Sequence, residues 1–345
     1  MTATWRIASG KLVPPSQPEP WMEVFDQVAQ EWMANQPTSP TSGSTGPPVL
    51  HRFAPDDVRA SALATARHFN LFGPRIATWS ALPTSGTGGR MAVWRALALG
   101  WDLTVSPPSA HPSLPTVVES GDERFDFGVA TPMQARHLLE TNQLSRFRQL
   151  LLGGAPLHPG LERDLAEEGH RTGCRIQMGF GMTETLTHVA TRSLGEAAYR
   201  PLPGVVISID TDQSIVIDAP ERGVKRFQTR DAGKWTSTSD PVGFHWLGRL
   251  DDVLNSGGIK VHPHEIERRI APEIDAHIGS RRWYISGRKD EVMGDRITLI
   301  VEGEADAALT RNLLADCADL GNIRPRSVEF ISCFEQTETG KVRRK

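Results

Sequence analysis

The chain has 345 residues, 39% of them hydrophobic, with a formal net charge of -3, which is long and apolar enough to bury one large core and a smaller one. That balance excludes global electrostatic attraction to nucleic acid or to an anionic membrane, so any anion site must be local. Its three cysteines, Cys174, Cys317 and Cys333, have no Cys-x-x-Cys spacing, so neither a disulfide framework nor a zinc site is expected, and a reducing compartment fits.

The opening stretch MTATWRIASGKLVPPSQPEP lacks the apolar run of a signal peptide, and MAVWRALALG is too short to cross a bilayer. A soluble, cytoplasmic protein without membrane insertion is expected. Trp21, Val24, Phe25, Val28 and Trp32 recur at helical spacing, and the Pro/Thr/Ser/Gly stretch from Pro37 to Pro48 predicts a loop. Asp56 to Phe69 predicts a second helix. Gly89 to Gly100 predicts a third, apolar from Met91 to Leu99 except at Arg95. Such a helix is buried nearly all round, and its arginine needs a partner. Arg148 to Leu152 predicts a strand that runs into Gly153-Gly154-Ala155, and Val205 to Ile209 and Ser214 to Ile217 predict two strands about a turn at Asp212.

Helical and strand-like segments alternate as far as about residue 220, which predicts α/β layering on a mainly parallel sheet. Beyond Asp251 the pattern predicts a helix opening at Pro263, strands at Trp283-Ile285 and Ile297-Val301, a helix from Ala305 to Leu320 and a strand at Val328-Ile331. The fold class is therefore α/β, with a large N-terminal domain over residues 1–250 and a small α+β domain over 251–345. There is no internal repeat of about 20–50 residues.

Thr41-Ser42-Gly43-Ser44-Thr45-Gly46 sets four hydroxyls among two glycines, a composition that lets backbone N–H groups turn inward as an anion nest. No Gly-Lys-Ser/Thr closes it, so it is not a Walker A loop, and taken alone it also reads as a Ser/Gly linker. Four further stretches follow in order: Gly153-Gly154-Ala155; Phe180-Gly181-Met182-Thr183-Glu184; Thr229-Arg230-Asp231 with Gly248-Arg249-Leu250-Asp251-Asp252; and Gly340-Lys341. Together they resemble the adenylate-forming superfamily of acyl-CoA synthetases, peptide-synthetase adenylation domains and luciferases.

The resemblance implies ATP, Mg²⁺ and coenzyme A as cosubstrates and a small mobile C-terminal domain. It places Phe180 on adenine beside Gly153, Gly154 and Ala155, with Gly181 and Met182 in the same nucleotide loop. Thr183 meets the α-phosphate, Glu184 holds Mg²⁺, and Asp231 takes the ribose hydroxyls with Arg249 close by. Lys341 bridges the acid and the α-phosphate, whereas KVRRK read by itself is a solvated basic tail. Asp251 is the hinge, Gly257 and Gly258 line the pantetheine channel, and Lys260 lies on the CoA side. His262 and His264 read as a partly exposed helix start rather than metal ligands, since no third ligand is evident.

The phosphate loop begins near Thr41, and GGRMAVWRALALG, FDFGVATPMQARHLL, GFGMTETLTHVA and FHWLGRLDDVLNSGGIKVHPHEIE are similar to segments of the compact o-succinylbenzoate-CoA ligases of menaquinone biosynthesis. Leu82 to Gly89 then forms acyl-pocket wall, Arg95 recognises the second carboxylate of the substrate, and Gly89 and His188 belong to the same pocket. A salt bridge from Arg95 to Asp102, Glu119 or another acid is the competing structural reading. The chain departs from the family where Pro47-Pro48-Val49 replaces the continuation to a lysine and where small residues around Gly86 replace an aromatic or histidine. A ligase for another aryl or short acyl acid, and a non-catalytic nucleotide-binding relic of the fold, are the alternatives. Partners are small molecules, and a homo-oligomer is compatible.

Overall fold

Two antiparallel strands, β1 (Trp5–Ala8) and β2 (Lys11–Val13), open the chain in a computed structural model that describes residues 4–40, 49–115, 124–237, 243–279, 281–335, 342 and 344. Helix α1 (Pro20–Met33) starts on a proline, where the missing N–H has no helical partner to lose. It buries Met22, Phe25, Val28, Ala29 and Trp32. Val24, expected on that face, is exposed, because it lies about 100° round the helix from Phe25 while Met22 fills the other side of the stripe. Part of the expected loop is instead β3 (Thr38–Pro40), paired antiparallel with β4 (Leu50–Arg52). Composition cannot show such a pairing, since the partner lies beyond the loop.

Next come α2 (Pro55–Phe69), β5 (Ala77–Ser80), α3 (Thr87–Leu99), β6 (Asp102–Val105), β7 (Phe127–Ala130), α4 (Pro132–Glu140), β8 (Gln149–Leu152), α5 (Pro159–Thr172), β9 (Arg175–Met182), β10 (Thr187–Ser193) and β11 (Arg200–Pro201). The large sheet has the order β11-β10-β9-β8-β7-β5-β6-β1-β2. Pairing is parallel from β6 through β5, β7 and β8 to β9 and antiparallel toward both edges. Every residue of β5 and β7 is buried, as a parallel sheet covered on both faces requires. From β5 the chain leaves through α3 to β6, and from β7 it leaves through α4 to β8, in opposite directions along the sheet. At such a switch point the carboxyl ends of the strands leave a crevice for ligand.

A four-stranded antiparallel sheet follows in chain order: β12 (Val206–Ile209), β13 (Ser214–Ala219), β14 (Val224–Trp235) and β15 (Phe244–Arg249). The last elements are β16 (Leu254–Ser256), β17 (Ile259–Val261), α6 (Pro263–Ile278), β18 (Trp283–Asp290), β19 (Gly294–Glu302), α7 (Ala307–Asp316) and β20 (Ser327–Ile331). Here β17-β16-β19-β18 form a sheet with β20 parallel on β19, and Ile266, Ile270 and Ile274 of α6 share its core with Ile285, Ile297 and Leu299. Helix α7 is shorter than expected: Asp306 caps its start, and a 3₁₀ segment covers Ala318–Ile323. The chain divides into two units, Met1–Leu157 with Leu161–Ser208 and Val216–Phe227, and His158–Gly160 with Ile209–Ile215 and Gln228–Lys345. Among the described residues no helix is long and apolar enough to cross a membrane.

Candidate active site

Parallel strands end on one edge of a sheet, so the loops after β5, β7, β8 and β9 are neighbours in the first unit. After β8, Gly154 has φ +85°, the left-handed region that glycine adopts at no steric cost, and nothing lies within 4 Å of where a Gly153 side chain would begin. Ala155 follows, partly exposed. After β9 a 3₁₀ turn over Thr183–Thr185 leads into β10. The Thr185 hydroxyl accepts from the Met182 N–H at 3.0 Å and donates to the Thr187 carbonyl at 2.8 Å, which fixes the turn with Thr183 and Glu184 partly exposed at its tip. Gly181 is obligatory here, because a Cβ on it would sit 1.8 Å from the Thr187 carbonyl oxygen. Phe180 is buried with its ring 5.8 Å from that of Tyr199.

The residues expected on the acyl side lie on α3 and its neighbours. Gly89, in the first turn of α3, is required by the loop before the helix, since a Cβ would approach the Pro83 carbonyl oxygen to 2.3 Å. Arg90 ties this loop down through Glu31 at 2.7 Å, the Thr38 carbonyl at 2.8 Å and the Thr84 carbonyl at 2.8 Å. Arg95 is 3% exposed. Its Nε has no hydrogen-bond partner, its guanidinium carbon lies 6.0 Å from the Phe127 ring centre, and no carboxylate among the described residues pairs with it. Asp102 is engaged by Arg75 at 2.8 Å and by the Ser9 N–H at 2.6 Å, and Glu119 lies outside the described residues.

Arg222 escaped the sequence reading. It is 4% exposed, donates from Nη1 to the His188 carbonyl at 3.0 Å and has an Nη2 without a partner among the described residues. Burial, and then the charge of Arg222, push Arg95 down to about 10. Burial likewise pushes Arg222 down to about 10, opposed by Glu221. Both remain cations at neutral pH. Burial, with the charges of Arg95, Arg222 and His68, holds His188 well below the usual imidazole range, so it is neutral there. The cluster is thus two guanidinium groups and a neutral imidazole in which Glu221 offsets part of the charge of Arg222 and no carboxylate among the described residues answers Arg95. Arg95 stood out as one charge in an apolar run, but Arg222 sits in a Pro-Glu-Arg-Gly turn with nothing to mark it as buried.

In the second unit, Asp231 on β14 pairs in register with Arg249 on β15. Asp231 accepts from the Trp246 indole at 2.9 Å, and Arg249 lies 3.7 Å from Asp231 and 3.6 Å from Asp251. Asp251 occupies a 3₁₀ turn over Leu250–Asp252 and also pairs with Arg230 at 3.2 Å. Gly257 and Gly258, at φ +58° and +79°, make the two-residue turn between β16 and β17 that needs positive φ at both positions. Lys260 is exposed on β17.

Two expectations are corrected in this unit. His262 and His264 are buried rather than partly exposed: His262 meets Gln213 at 3.0 Å, and His264 meets Glu267 at 2.9 Å. The basic end is not wholly solvated, since Arg344 pairs with Glu267 at 2.7 and 3.0 Å and Val342 packs against the cluster of Tyr284, Ile300 and Phe334. Lys341 and the loop Thr41 to Gly46 lie outside the described residues.

A family model described as "AMP-binding enzyme" matches residues 38–229, more than half of the chain. This chain belongs to the AMP-binding enzyme family. It is similar to the 2-succinylbenzoate–CoA ligase of Enterococcus faecalis, 25% identical over 336 residues that cover 88% of this chain and 67% of that protein. It is also similar to the 3,4-dihydroxybenzoate–[aryl-carrier protein] ligase of Bacillus anthracis, 27% identical over 209 residues that cover 58% of this chain and 46% of that one. The chain therefore spans two thirds of the first relative and under half of the second. Among solved structures, the acyl-CoA synthetase (AMP-forming)/AMP-acid ligase II-like protein from Dyadobacter fermentans superposes with a TM-score of 0.62 at 27% identity, covering 98% of this chain and 97% of that one.

Proposed function

We propose that this AMP-binding family member is an ATP-dependent acid–thiol ligase that forms an acyl-adenylate and then a coenzyme A thioester, and that its acid is o-succinylbenzoate. The observation that carries the choice of acid is the buried cation Arg95, which no carboxylate among the described residues pairs with, beside a second buried cation, Arg222. A buried charge without a partner is costly, and a guanidinium cannot shed its proton at neutral pH to escape the cost. Activation consumes one carboxylate, and o-succinylbenzoate brings a second one. The planar guanidinium fork matches a carboxylate through two parallel hydrogen bonds. The E. faecalis relative supports the same acid, while an aryl acid with a single carboxylate leaves Arg95 unanswered.

The open Gly153-Gly154 backbone and the partly exposed Thr183 and Glu184 suit a nucleoside triphosphate and its hard cation. In this reading Phe180 and the Gly153-Ala155 backbone hold adenine, Asp231 and Arg249 hold the ribose, and Thr183 donates to the α-phosphate. The loop Thr41 to Gly46 cradles the outer phosphates through its N–H groups. Magnesium, with Glu184 as one of the one or two protein carboxylates it usually takes, supplies charge neutralisation for the departing pyrophosphate. Lys341 stands between the two anions that must meet, removing their repulsion and stabilising the charge that grows as the acid's oxygen attacks the α-phosphorus. The thiol of coenzyme A then attacks the acyl carbonyl and AMP leaves. Residues 251–345 turn about Asp251 between these steps, which brings Gly257, Gly258 and Lys260 to the thiol side.

Arg95→Gln tests the substrate. Losing a charge-assisted hydrogen bond predicts a KM for o-succinylbenzoate raised by about 10- to 100-fold, a KM for ATP nearly unchanged, and little effect with benzoate-like acids that lack the succinyl group. A variant of lowered thermal stability whose KM for o-succinylbenzoate equals that of the parent makes Arg95 a core residue and removes this assignment.

A further inference from the structure

Thr183 is part of a row of hydroxyls. Its Oγ1 lies 2.8 Å from Thr87 Oγ1, and Thr87 Oγ1 lies 2.8 Å from Ser39 Oγ. Ser39 is completely buried and Thr87 nearly so, whereas Thr183 is partly exposed. The row joins β3, the first residue of α3 and the turn after β9, three places that no sequence motif connects.

Counting protons gives the row a direction. Each hydroxyl carries one proton and can also accept. Three hydroxyls joined by two bonds use two protons and leave one; left on Thr87, with both neighbours donating to it, that proton has no further acceptor among the described residues, so it belongs to an end of the row. At the Ser39 end the remaining acceptor among the described residues is the Pro40 carbonyl at 3.4 Å, beyond the about 2.5–3.0 Å of an ordinary O–H···O bond. The favoured arrangement has Ser39 donating to Thr87 and Thr87 donating to Thr183, with the Thr183 proton left to point out of the row. Bonds chained in this sense polarise one another and strengthen the last donor. A donor fixed in advance stabilises negative charge without reorganising during the reaction.

We propose that Thr87, backed by Ser39, is a positioning residue that presents the Thr183 hydroxyl as a donor to the α-phosphate of the nucleotide. This rests on the reading above that Thr183 meets that phosphate. Thr87 itself touches neither substrate nor the reacting atoms. Its contribution is to exclude the orientation in which Thr183 spends its proton inside the protein.

The test is ATP–pyrophosphate exchange, run with the acid that gives the parent its highest rate, on Thr87→Val, Thr87→Ser, Thr183→Val and the double valine variant, each with its thermal unfolding recorded. Valine keeps the shape of threonine and removes the hydroxyl, and serine keeps the hydroxyl. Thr87→Val is expected to lower the exchange kcat by about 3- to 10-fold, the weight of one neutral hydrogen bond, with the KM for the acid within about twofold of the parent. Thr87→Ser is expected to restore the rate. The double variant is expected to be no slower than Thr183→Val, because the two hydroxyls act as one unit. If Thr183→Val is slow while Thr87→Val matches the parent, or if the two losses multiply, or if serine fails to rescue, the positioning role is overturned and the phosphate contact stands. If Thr183→Val itself exchanges at the parent rate, the phosphate contact falls and the positioning role with it.

Discussion

Gly181 shows how tightly single residues constrain the turn between β9 and β10. A methyl group there has to displace the Thr187 carbonyl, 1.8 Å away, and that carbonyl is the acceptor that holds the Thr185 hydroxyl. Gly181→Ala is therefore expected to destabilise the fold by more than about 3 kcal/mol, as backbone overlaps in packed sites do, and to abolish ATP binding. Thermal unfolding and titration with ATP check this together, and a variant with parent stability contradicts the hairpin geometry. At this scale the legible residues were those whose chemistry contradicts their neighbours, such as Arg95 in an apolar helix. Arg222, Ser39 and Thr87 were not legible. Their partners are distant in sequence, with Thr87 and Thr183 separated by 96 positions, and a serine, a threonine or a turn arginine is ordinary on a surface.

Among the elements, α6 carries the most consequential buried charge. Glu267 accepts from the Ile285 N–H at 2.8 Å, pairs with His264 at 2.9 Å and receives both forks of Arg344 at 2.7 and 3.0 Å. Burial alone raises its pKa, but the charges and hydrogen bonds of Arg344 and His264 outweigh burial and hold it at about 2, against an ordinary value of 4.5. A carboxyl depressed on folding gives stability that is complete above its unfolded pKa and is lost as pH falls through its folded one. Stability of the order of 3 kcal/mol from this group is thus expected to disappear between about pH 4.5 and pH 2. Glu267→Gln is expected to flatten that part of the stability–pH curve, and an unchanged acid limb removes Glu267 as its source. The helix was legible from Pro263 and its isoleucine spacing. The burial of His262 and His264 was not, because two histidines around a proline at a helix start look like surface until Gln213 and Glu267 are seen to meet them.

For the whole molecule, the α/β class and the mainly parallel large sheet followed from alternating periodicity, and the family from five short motifs in order. The strand pairing Thr38–Pro40 with Leu50–Arg52 stayed hidden because pairing is a property of two segments. In the proposed two-step reaction residues 251–345 turn about Asp251, and that proposal gives Asp251→Pro a definite outcome. Proline fixes φ near about -65° and removes freedom at the turning position, so pyrophosphate exchange persists while transfer to coenzyme A is lost. Thioester formation by that variant at the parent rate dismisses Asp251 as the hinge. The most direct test of the ligase itself is AMP and CoA-thioester formation by the intact protein with ATP, Mg²⁺, coenzyme A and a panel of acids. It is expected to turn over o-succinylbenzoate by at least about tenfold in kcat/KM over benzoate and acetate, the advantage of one charge-assisted carboxylate contact. Turnover of a monocarboxylic acid as fast as o-succinylbenzoate, or AMP formation from none of them, contradicts the account.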